Sequence, residues 1–190
     1  MLTKNIFDYI FTLILLIFLV GLIVLLIILS SIDTNQIGLF TQKRVGKNGQ
    51  LFDIYKIRTM IGISESSITT NTHQITRFGK FLRNYKLDEL PQLINILKGD
   101  MSFVGPRPDV EGYADILEGQ NRMMLTVKPG ITGPAQLKYR NEEELLSKVE
   151  NPIQYNDEIL WPDKVKINVD YVRNWSFKKD LLYMYKTIFK

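Results

Sequence analysis

The sequence predicts a compact, mostly helical, membrane-associated domain of the α/β class that contains one small β-hairpin. Three observations predict it: a long apolar run near the N-terminus, a turn signal at residues 47–50, and several later segments with helical apolar spacing. The 190 residues are enough for a sizeable core. The formal net charge of +4 suits an anionic membrane surface or a phosphorylated substrate as well as it suits nucleic acid.

The composition excludes several kinds of site. The chain has no cysteine, which excludes disulfides, zinc–thiolate centres and thiol nucleophiles. Its one histidine, His73, lies in a polar stretch that we interpret as a surface loop, and a metal cluster built on histidines is impossible with only one. The basic residues are spread along the chain among acids, and no recognition module is visible, so we expect no nucleic-acid partner.

The apolar run predicts a membrane helix. Eighteen of the residues from Ile10 to Leu29 are Ile, Leu, Val or Phe, which favours insertion by about 5–11 kcal/mol. About twenty helical residues reach about 30 Å, the thickness of a hydrocarbon core. The run is too long for a cleaved signal peptide, so we expect it to stay in the membrane. We place an N-terminal membrane helix in residues 1–34 and the main domain in residues 35–190.

The path of this helix has two interpretations. A straight helix would span the bilayer, whereas a helix broken at mid-depth would return to the side that it entered. Gly21 is the only candidate for a break, and glycine costs a helix about 1 kcal/mol where proline costs about 3. The residues alone therefore favour a spanning helix, with the main domain in the cytoplasm because Lys43, Arg44 and Lys47 follow it.

Short apolar runs on either side of KNGQ predict the hairpin. Side chains alternate along a strand, so the second strand places Phe52, Ile54, Lys56 and Arg58 on one face. The two cations fit either a solvated edge or a phosphate clamp.

Residues 77–85 (RFGKFLRNY) predict a short amphipathic helix with aromatic side chains opposite cations. This pattern fits a surface helix on a core and a helix in a lipid headgroup layer equally well. Residues 128–136 are interpreted as a Gly/Pro loop. Residues 169–190 mix aromatic and basic residues, which indicates another interfacial helix.

Two adjacent acids, Asp88 and Glu89, stand directly before an apolar helical pattern in KLDELPQLINILKG. One interpretation is capping: Asp88 is the N-cap, Glu89 lies in the first turn, and Gly99 ends the helix. The other is chemistry on a phosphate, since Mg²⁺ takes one or two carboxylates together with phosphate oxygens, and an aspartate can attack phosphorus itself.

Cations that would serve such chemistry occur along the chain. Arginine binds phosphate in bidentate fashion. Arg107 lies between Pro106 and Pro108, which fix its backbone, so it is either an anion-binding residue or part of a rigid turn.

Residues 86–108 (KLDELPQLINILKGDMSFVGPRP) resemble the signature of the bacterial sugar transferase family, the small monotopic polyprenyl-phosphate phosphoglycosyl transferases. Further blocks agree in the expected order from about Lys4 to the C-terminus: FTQKRVG, YKIRTM, RFGKFLRN, KPGITG and WPDKVKINVDYVRNWSFKKDL. A match of this length and order favours chemistry over capping alone.

The resemblance implies an enzyme that moves a sugar-1-phosphate from a UDP-sugar to polyprenyl (undecaprenyl) phosphate and releases UMP, at the start of bacterial polysaccharide assembly. It implies that Asp88 is the nucleophile of a covalent phospho-sugar intermediate, and that Glu89 and Asp88 hold Mg²⁺. The implied phosphate-binding residues are Arg83 and Arg107, with Lys56, Arg58 and Arg140 as weaker candidates.

The resemblance also implies a re-entrant membrane helix and interfacial helices on the cytoplasmic face of the bacterial inner membrane, in contact with lipids. Family members commonly break this helix with a proline, and the corresponding residues here are Val20 and Gly21. We nevertheless expect the re-entrant form, and the minimal form of the family without further membrane helices before this one.

The alternative function is a catalytically inactive, membrane-anchored interaction protein of the same fold. The intact acid pair and Arg107 argue against it. The sequence leaves the transferred sugar, the glycan pathway and the oligomeric state open.

Overall fold

A computed structural model describes residues 2–62 and 74–189, and these residues form eight α-helices and six short strands. The helices are α1 (Leu2–Thr34), α2 (Arg77–Asn84), α3 (Gln92–Lys98), α4 (Pro134–Lys138), α5 (Glu142–Leu146), α6 (Pro152–Tyr155), α7 (Trp161–Arg173) and α8 (Phe177–Ile188). The strands are β1 (Leu39–Val45), β2 (Leu51–Ile57), β3 (Met60–Ile61), β4 (Gln74–Ile75), β5 (Ser102–Val104) and β6 (Gly130–Thr132). The predicted polar loop with His73 lies outside the described residues.

Helix α1 confirms the predicted N-terminal helix and is the one described helix long and apolar enough to cross a membrane. It continues through Gly21 without interruption, so the break expected there is not present. A side chain added at Gly21 would meet open space, because no heavy atom lies nearby. The structure therefore does not contain the break that the re-entrant prediction requires at Gly21. The physical reason is that a single glycine destabilises a helix by only about 1 kcal/mol, which is too little to interrupt a helix of this apolar composition.

The β1–β2 hairpin is confirmed, and its turn has the geometry that the sequence predicts. Asn48 and Gly49 have φ angles of 58° and 81°, and two consecutive positive φ angles define the tight hairpin turns that Asn-Gly favours. The strands form a two-stranded sheet. The structure contains two further pairs: β3 is antiparallel to β4, and β5 is parallel to β6.

The chain divides into two compact units. The first consists of Met1–Arg44 and Phe52–Met101, and the second of Val45–Leu51 and Ser102–Lys190. The predicted boundary at residue 34 concerns the edge of a membrane and stays a prediction.

The first unit has a small apolar core where α1, β2 and α2 meet. Leu26, Ile57 and Leu82 form its buried centre. Partly buried side chains pack around them: Ile27, Phe78, Leu87 and Leu90. Polar contacts fix the end of α1 here, since Ser30 Oγ donates to the Arg58 carbonyl at 2.6 Å. Leu87 and Leu90 flank the acid pair, so this core also anchors the acidic turn.

The second unit has its own core, which joins Val45 to Val165 and Val169 of α7 through Ala114, Met124 and Leu125. The predicted Gly/Pro loop at residues 128–136 instead contains β6 and the start of α4. Glycine is needed at Gly130 because an added Cβ would clash with the backbone of Gly105. Glycine permits close backbone pairing as well as turns, so this pattern alone does not distinguish a strand from a loop.

The C-terminal segment is two helices, and its aromatic residues divide between core and surface. Tyr171 is buried and donates to Asp180 Oδ1 at 2.8 Å, while Trp175 Nε1 donates to Asp180 Oδ2 at 2.9 Å. Tyr185 and Phe189 are exposed. The interfacial prediction therefore does not apply to Tyr171 and Trp175, because these two side chains bind a buried carboxylate.

Candidate active site

The acid pair lies in a turn that apolar packing holds in place. Helix α2 ends at Asn84, and Lys86 then takes a left-handed conformation, with φ at 57°. A short 3₁₀ turn follows from Leu87 to Glu89. Because Leu87 and Leu90 pack on the core of the first unit, the turn holds Asp88 and Glu89 at 9 % and 7 % exposure.

The capping interpretation of Asp88 is wrong. Helix α3 begins at Gln92, and Pro91 occupies its N-cap position with no side-chain cap hydrogen bond. Asp88 lies a full turn earlier, and its Oδ1 is buried without a hydrogen-bond partner among the described residues. The predicted end of this helix is confirmed, since Gly99 has a φ of 86°. The local pattern was misread because Pro91 shifts the helix start past the acids.

Two features of the surroundings of Asp88 disfavour its charged form, and nearby cations favour it. Burial raises the pKa of the Asp88 carboxyl above its ordinary value, and the neighbouring Glu89 charge raises this pKa further. Three cations oppose these effects and lower the pKa: Lys56, Lys86 and Arg83. The result is a poorly solvated carboxylate with an open acceptor and positive charge nearby.

Glu89 forms an ion pair with a lysine on β2. Lys56 Nζ lies 3.6 Å from Glu89 Oε1, and the two side chains are 19 % and 9 % exposed. Sequence reasoning left Lys56 as either part of a solvated edge or part of a phosphate clamp. The structure excludes the solvated edge for Lys56, because its ammonium group is half-buried beside the acid pair.

Arg83 is anchored by residues that follow β2. Its Nε donates to Thr59 Oγ1 at 2.9 Å, and one terminal nitrogen lies 2.9 Å from Met60 Sδ. These contacts fix the guanidinium at the end of α2, from where its charge acts on Asp88. The structure thus brings Lys56 and Arg83 together with the acid pair in the first unit.

Arg58 is not part of this cluster of contacts. Its Nε donates to the Ile37 carbonyl at 2.9 Å, and its guanidinium carbon lies 5.3 Å from the centre of the Phe40 ring. The described contacts therefore give Arg58 a role at the connection between α1 and β1. Its predicted role in phosphate binding stays a prediction.

The other two predicted arginines belong to the second unit. Arg140 donates to the carbonyls of Lys186 and Thr187, at 2.7 and 3.4 Å, and so caps the C-terminal end of α8. Arg107 is exposed between two buried prolines. Their predicted roles in phosphate binding stay predictions.

The acid pair fits Mg²⁺ as a partial site. No group of three or more His, Asp or Glu side chains suited to a metal occurs among the described residues. Mg²⁺ does not need such a group, because it binds through one or two carboxylates and takes phosphate oxygens and water as its other ligands. Oδ1 of Asp88, which no group in the described part of the chain contacts by a hydrogen bond, is a suitable ligand atom.

Sequence reasoning missed Lys86. It is exposed, lies two residues before Asp88, and lowers the pKa of the Asp88 carboxyl. Its position next to the acids could have indicated this role. The left-handed backbone that places it was not readable, because lysine rarely adopts that conformation.

With the fold and the acid pair described, comparison with known proteins identifies the class. The chain belongs to the bacterial sugar transferase family, whose family model matches residues 1–190. The resemblance noted in the sequence is therefore confirmed over the full length of the chain.

Three relatives illustrate the similarity. A UDP-glucose:undecaprenyl-phosphate glucose-1-phosphate transferase of Klebsiella pneumoniae is 36% identical over 88% of this chain and 36% of its own length. The uncharacterized sugar transferase EpsL of Bacillus subtilis (strain 168) is 38% identical over 80% of this chain and 68% of its own length. An undecaprenyl-phosphate galactose phosphotransferase of Salmonella typhimurium is 34% identical over 78% of this chain and 32% of its own length. The match thus covers about a third of the two longer relatives.

Proposed function

We propose that this protein transfers a sugar-1-phosphate from a UDP-sugar to polyprenyl (undecaprenyl) phosphate and releases UMP, at the start of bacterial polysaccharide assembly. Relatives named as undecaprenyl-phosphate glucose-1-phosphate or galactose phosphotransferases support this reaction class. The observation that carries the proposal is the buried Oδ1 of Asp88, which has no hydrogen-bond partner among the described residues and has three cations nearby.

The reaction would proceed in two displacements. An oxygen of Asp88 bonds to the phosphorus attached to the sugar, and the bond from that phosphorus to the UMP oxygen breaks, so UMP leaves with the electron pair. An oxygen of polyprenyl phosphate then bonds to the same phosphorus, and Asp88 leaves as a carboxylate. A covalent intermediate divides one difficult transfer into two easier steps.

The surrounding cations would bind and orient the phosphates. Positive charge that is already in place stabilises developing negative charge better than water does, because it needs no reorganisation. Lys56 keeps Glu89 paired, and Arg83 and Lys86 place charge beside Asp88. Asp88 and Glu89 would hold Mg²⁺, which when bound supplies further charge to neutralise the phosphate oxygens.

The same proposal places the protein on the cytoplasmic face of the bacterial inner membrane, in contact with lipids. Helix α1 supplies the apolar surface. Lys4 and Asp8 near its N-terminus are only 6 % and 4 % exposed, and Ser30 and Thr34 near its C-terminus are buried as well. One face of α1 is therefore buried near both ends of the helix, while the other face leaves its apolar side chains exposed to contact lipid.

The test is UMP release by the purified protein from a panel of UDP-sugars, with and without polyprenyl phosphate and Mg²⁺. We expect release with at least one donor, covalent labelling of the protein by a donor with a radiolabelled sugar phosphate, and loss of both in Asp88→Asn. Asp53→Asn is the matched control, because Asp53 is an exposed carboxylate paired with Lys43. No release from any donor would overturn the proposal and favour an inactive interaction protein.

A further inference from the structure

The side chain of Asn95 joins α3 to the edge of β2. Asn95 is fully buried, with 0 % exposure. Its Oδ1 accepts a hydrogen bond from the Tyr55 backbone N–H at 3.1 Å, and its Nδ2 donates to the Asp53 carbonyl at 2.7 Å. Both ends of the amide are thus used by the backbone of one strand.

This arrangement replaces a missing strand. β1 and β2 form a two-stranded sheet, so β2 has an edge with no further strand in the described part of the chain. Backbone groups of residues 53 and 55 lie two positions apart and therefore face the same edge. The amide of Asn95 offers one acceptor and one donor, which is what a neighbouring strand would offer at that point.

The amide fixes the position of α3 along β2. The amide binds the backbone of Tyr55, which is the residue before Lys56 on β2. Glu89 lies in the turn just before α3 begins. The position of α3 along β2 therefore sets the distance between Lys56 and Glu89. A slip of one residue would move β2 by about 3.3 Å and turn its side chains to the opposite face. The Lys56–Glu89 pair, at 3.6 Å, would not survive such a slip.

The end of α3 is tied to the same residue. The Asn95 carbonyl accepts from the backbone N–H groups of Asp100 and Met101, at 3.0 and 3.3 Å. Asn95 therefore fixes α3 both to β2 and to the chain that follows it. Movement of α3 would have to break contacts in both directions.

We propose that Asn95 is a positioning residue that holds Lys56 against Glu89 and so sets the charge beside the acid pair. Its effect on catalysis rests on the proposed function. Its effect on the ion pair does not, and the two can be measured separately.

The first experiment measures the ion pair through thermal unfolding. Lys56→Met, Glu89→Gln and the double variant are compared in the wild-type chain and in an Asn95→Ala chain. We expect the two substitutions to be coupled in the wild-type chain, with their Tm shifts not additive, and to become additive in the Asn95→Ala chain. Coupling of equal size in both chains would overturn the proposal, whether or not the protein is active.

The second experiment measures turnover. Asn95→Ala should lower kcat about 10- to 100-fold with a much smaller change in KM, since displaced catalytic groups affect the transition state most. In a chain that already carries Lys56→Met, adding Asn95→Ala should lower kcat by less than about twofold. The same loss in both backgrounds would show that Asn95 does not act through Lys56. Absence of wild-type turnover would instead count against the proposed function.

Ile96→Ala is the matched control. Ile96 is the next residue of α3 and is 3 % exposed, so its truncation removes buried packing from the same helix. It should lower Tm while leaving the Lys56–Glu89 coupling and kcat near their wild-type values. Loss of coupling in this variant as well would mean that any destabilisation of α3 breaks the pair, and would overturn a specific role for the Asn95 amide.

Discussion

At the scale of single residues, the environment of Asp88 favours reactivity over stability. Its pKa is raised by burial and by Glu89, so the folded state holds a proton on this group more readily than the unfolded chain does. A group of this kind stabilises the fold at low pH. That contribution is lost as pH rises from the ordinary pKa of an aspartate through the raised value.

Asp88→Asn should therefore abolish turnover and stabilise the fold at neutral pH. Asparagine keeps the shape of the side chain without its buried charge. We expect a Tm increase of about 2–4 °C at pH 7, or about 1 kcal/mol for a chain of this size. The increase should shrink as pH falls through the raised pKa, because wild-type Asp88 is then neutral as well. Equal or lower Tm in the variant at pH 7 would contradict a buried, destabilising charge.

Lys86→Gly separates charge from backbone conformation at the same turn. Glycine adopts the left-handed conformation of residue 86 without the steric cost of about 1 kcal/mol that a side chain brings. We therefore expect unchanged or higher Tm, together with a KM for the UDP-sugar raised about 3- to 10-fold by the loss of about 1 kcal/mol of charge interaction. Steady-state kinetics at two salt concentrations would measure this KM. An unchanged KM would show that Lys86 does not contribute to binding at this site.

At the scale of elements, the sequence predicted those features whose signal is local. The Asn-Gly hairpin, the helix at residues 77–84 and the glycine end of α3 are confirmed because turn chemistry and helical spacing act over a few residues. The capping interpretation of Asp88 was wrong because Pro91 moves the start of α3 past the acids, which lie instead in a separate 3₁₀ turn. The Asn95 contacts with β2 link residues about forty positions apart, which no local pattern contains.

The two glycines of the first unit's helices should respond in opposite ways to substitution by alanine. A Cβ at Gly79 of α2 would clash with the Thr59 carbonyl, so Gly79→Ala should move α2, disturb the Arg83–Thr59 contact and lower stability by about 1–3 kcal/mol. Gly21→Ala meets open space and should stabilise α1 by about 1 kcal/mol. Denaturant unfolding and turnover of both variants test this. Loss of turnover in Gly21→Ala would indicate that α1 needs a break there.

At the scale of the whole molecule, the membrane arrangement is the feature that local sequence reasoning predicted least well. Apolar composition alone favoured a spanning helix, and the family resemblance favoured a re-entrant one. The structure shows an uninterrupted helix with buried polar side chains on one face near each end. Burial of a helix end depends on tertiary packing, which the composition of the helix does not contain.

Single cysteines test this arrangement cleanly, because the chain contains none. Leu2→Cys marks the start of α1, where the side chain is 75% exposed, and Lys98→Cys marks the exposed end of α3 in the same unit. A membrane-impermeant maleimide should label both in inverted inner-membrane vesicles and neither in spheroplasts. Labelling after detergent solubilisation controls for reactivity. Labelling of Leu2→Cys from the periplasmic side would show that α1 spans the bilayer.

The discontinuous second unit has a consequence for biosynthesis. Val45 packs in a core with Val165 and Val169, so the ribosome must produce nearly the whole polypeptide before that core can close. Helix α1, in contrast, emerges from the ribosome long before that core can form. Nascent chains that stall before α7 would expose an unfinished apolar core surface together with the apolar side chains of α1, and we expect chaperones and proteases to act on such chains.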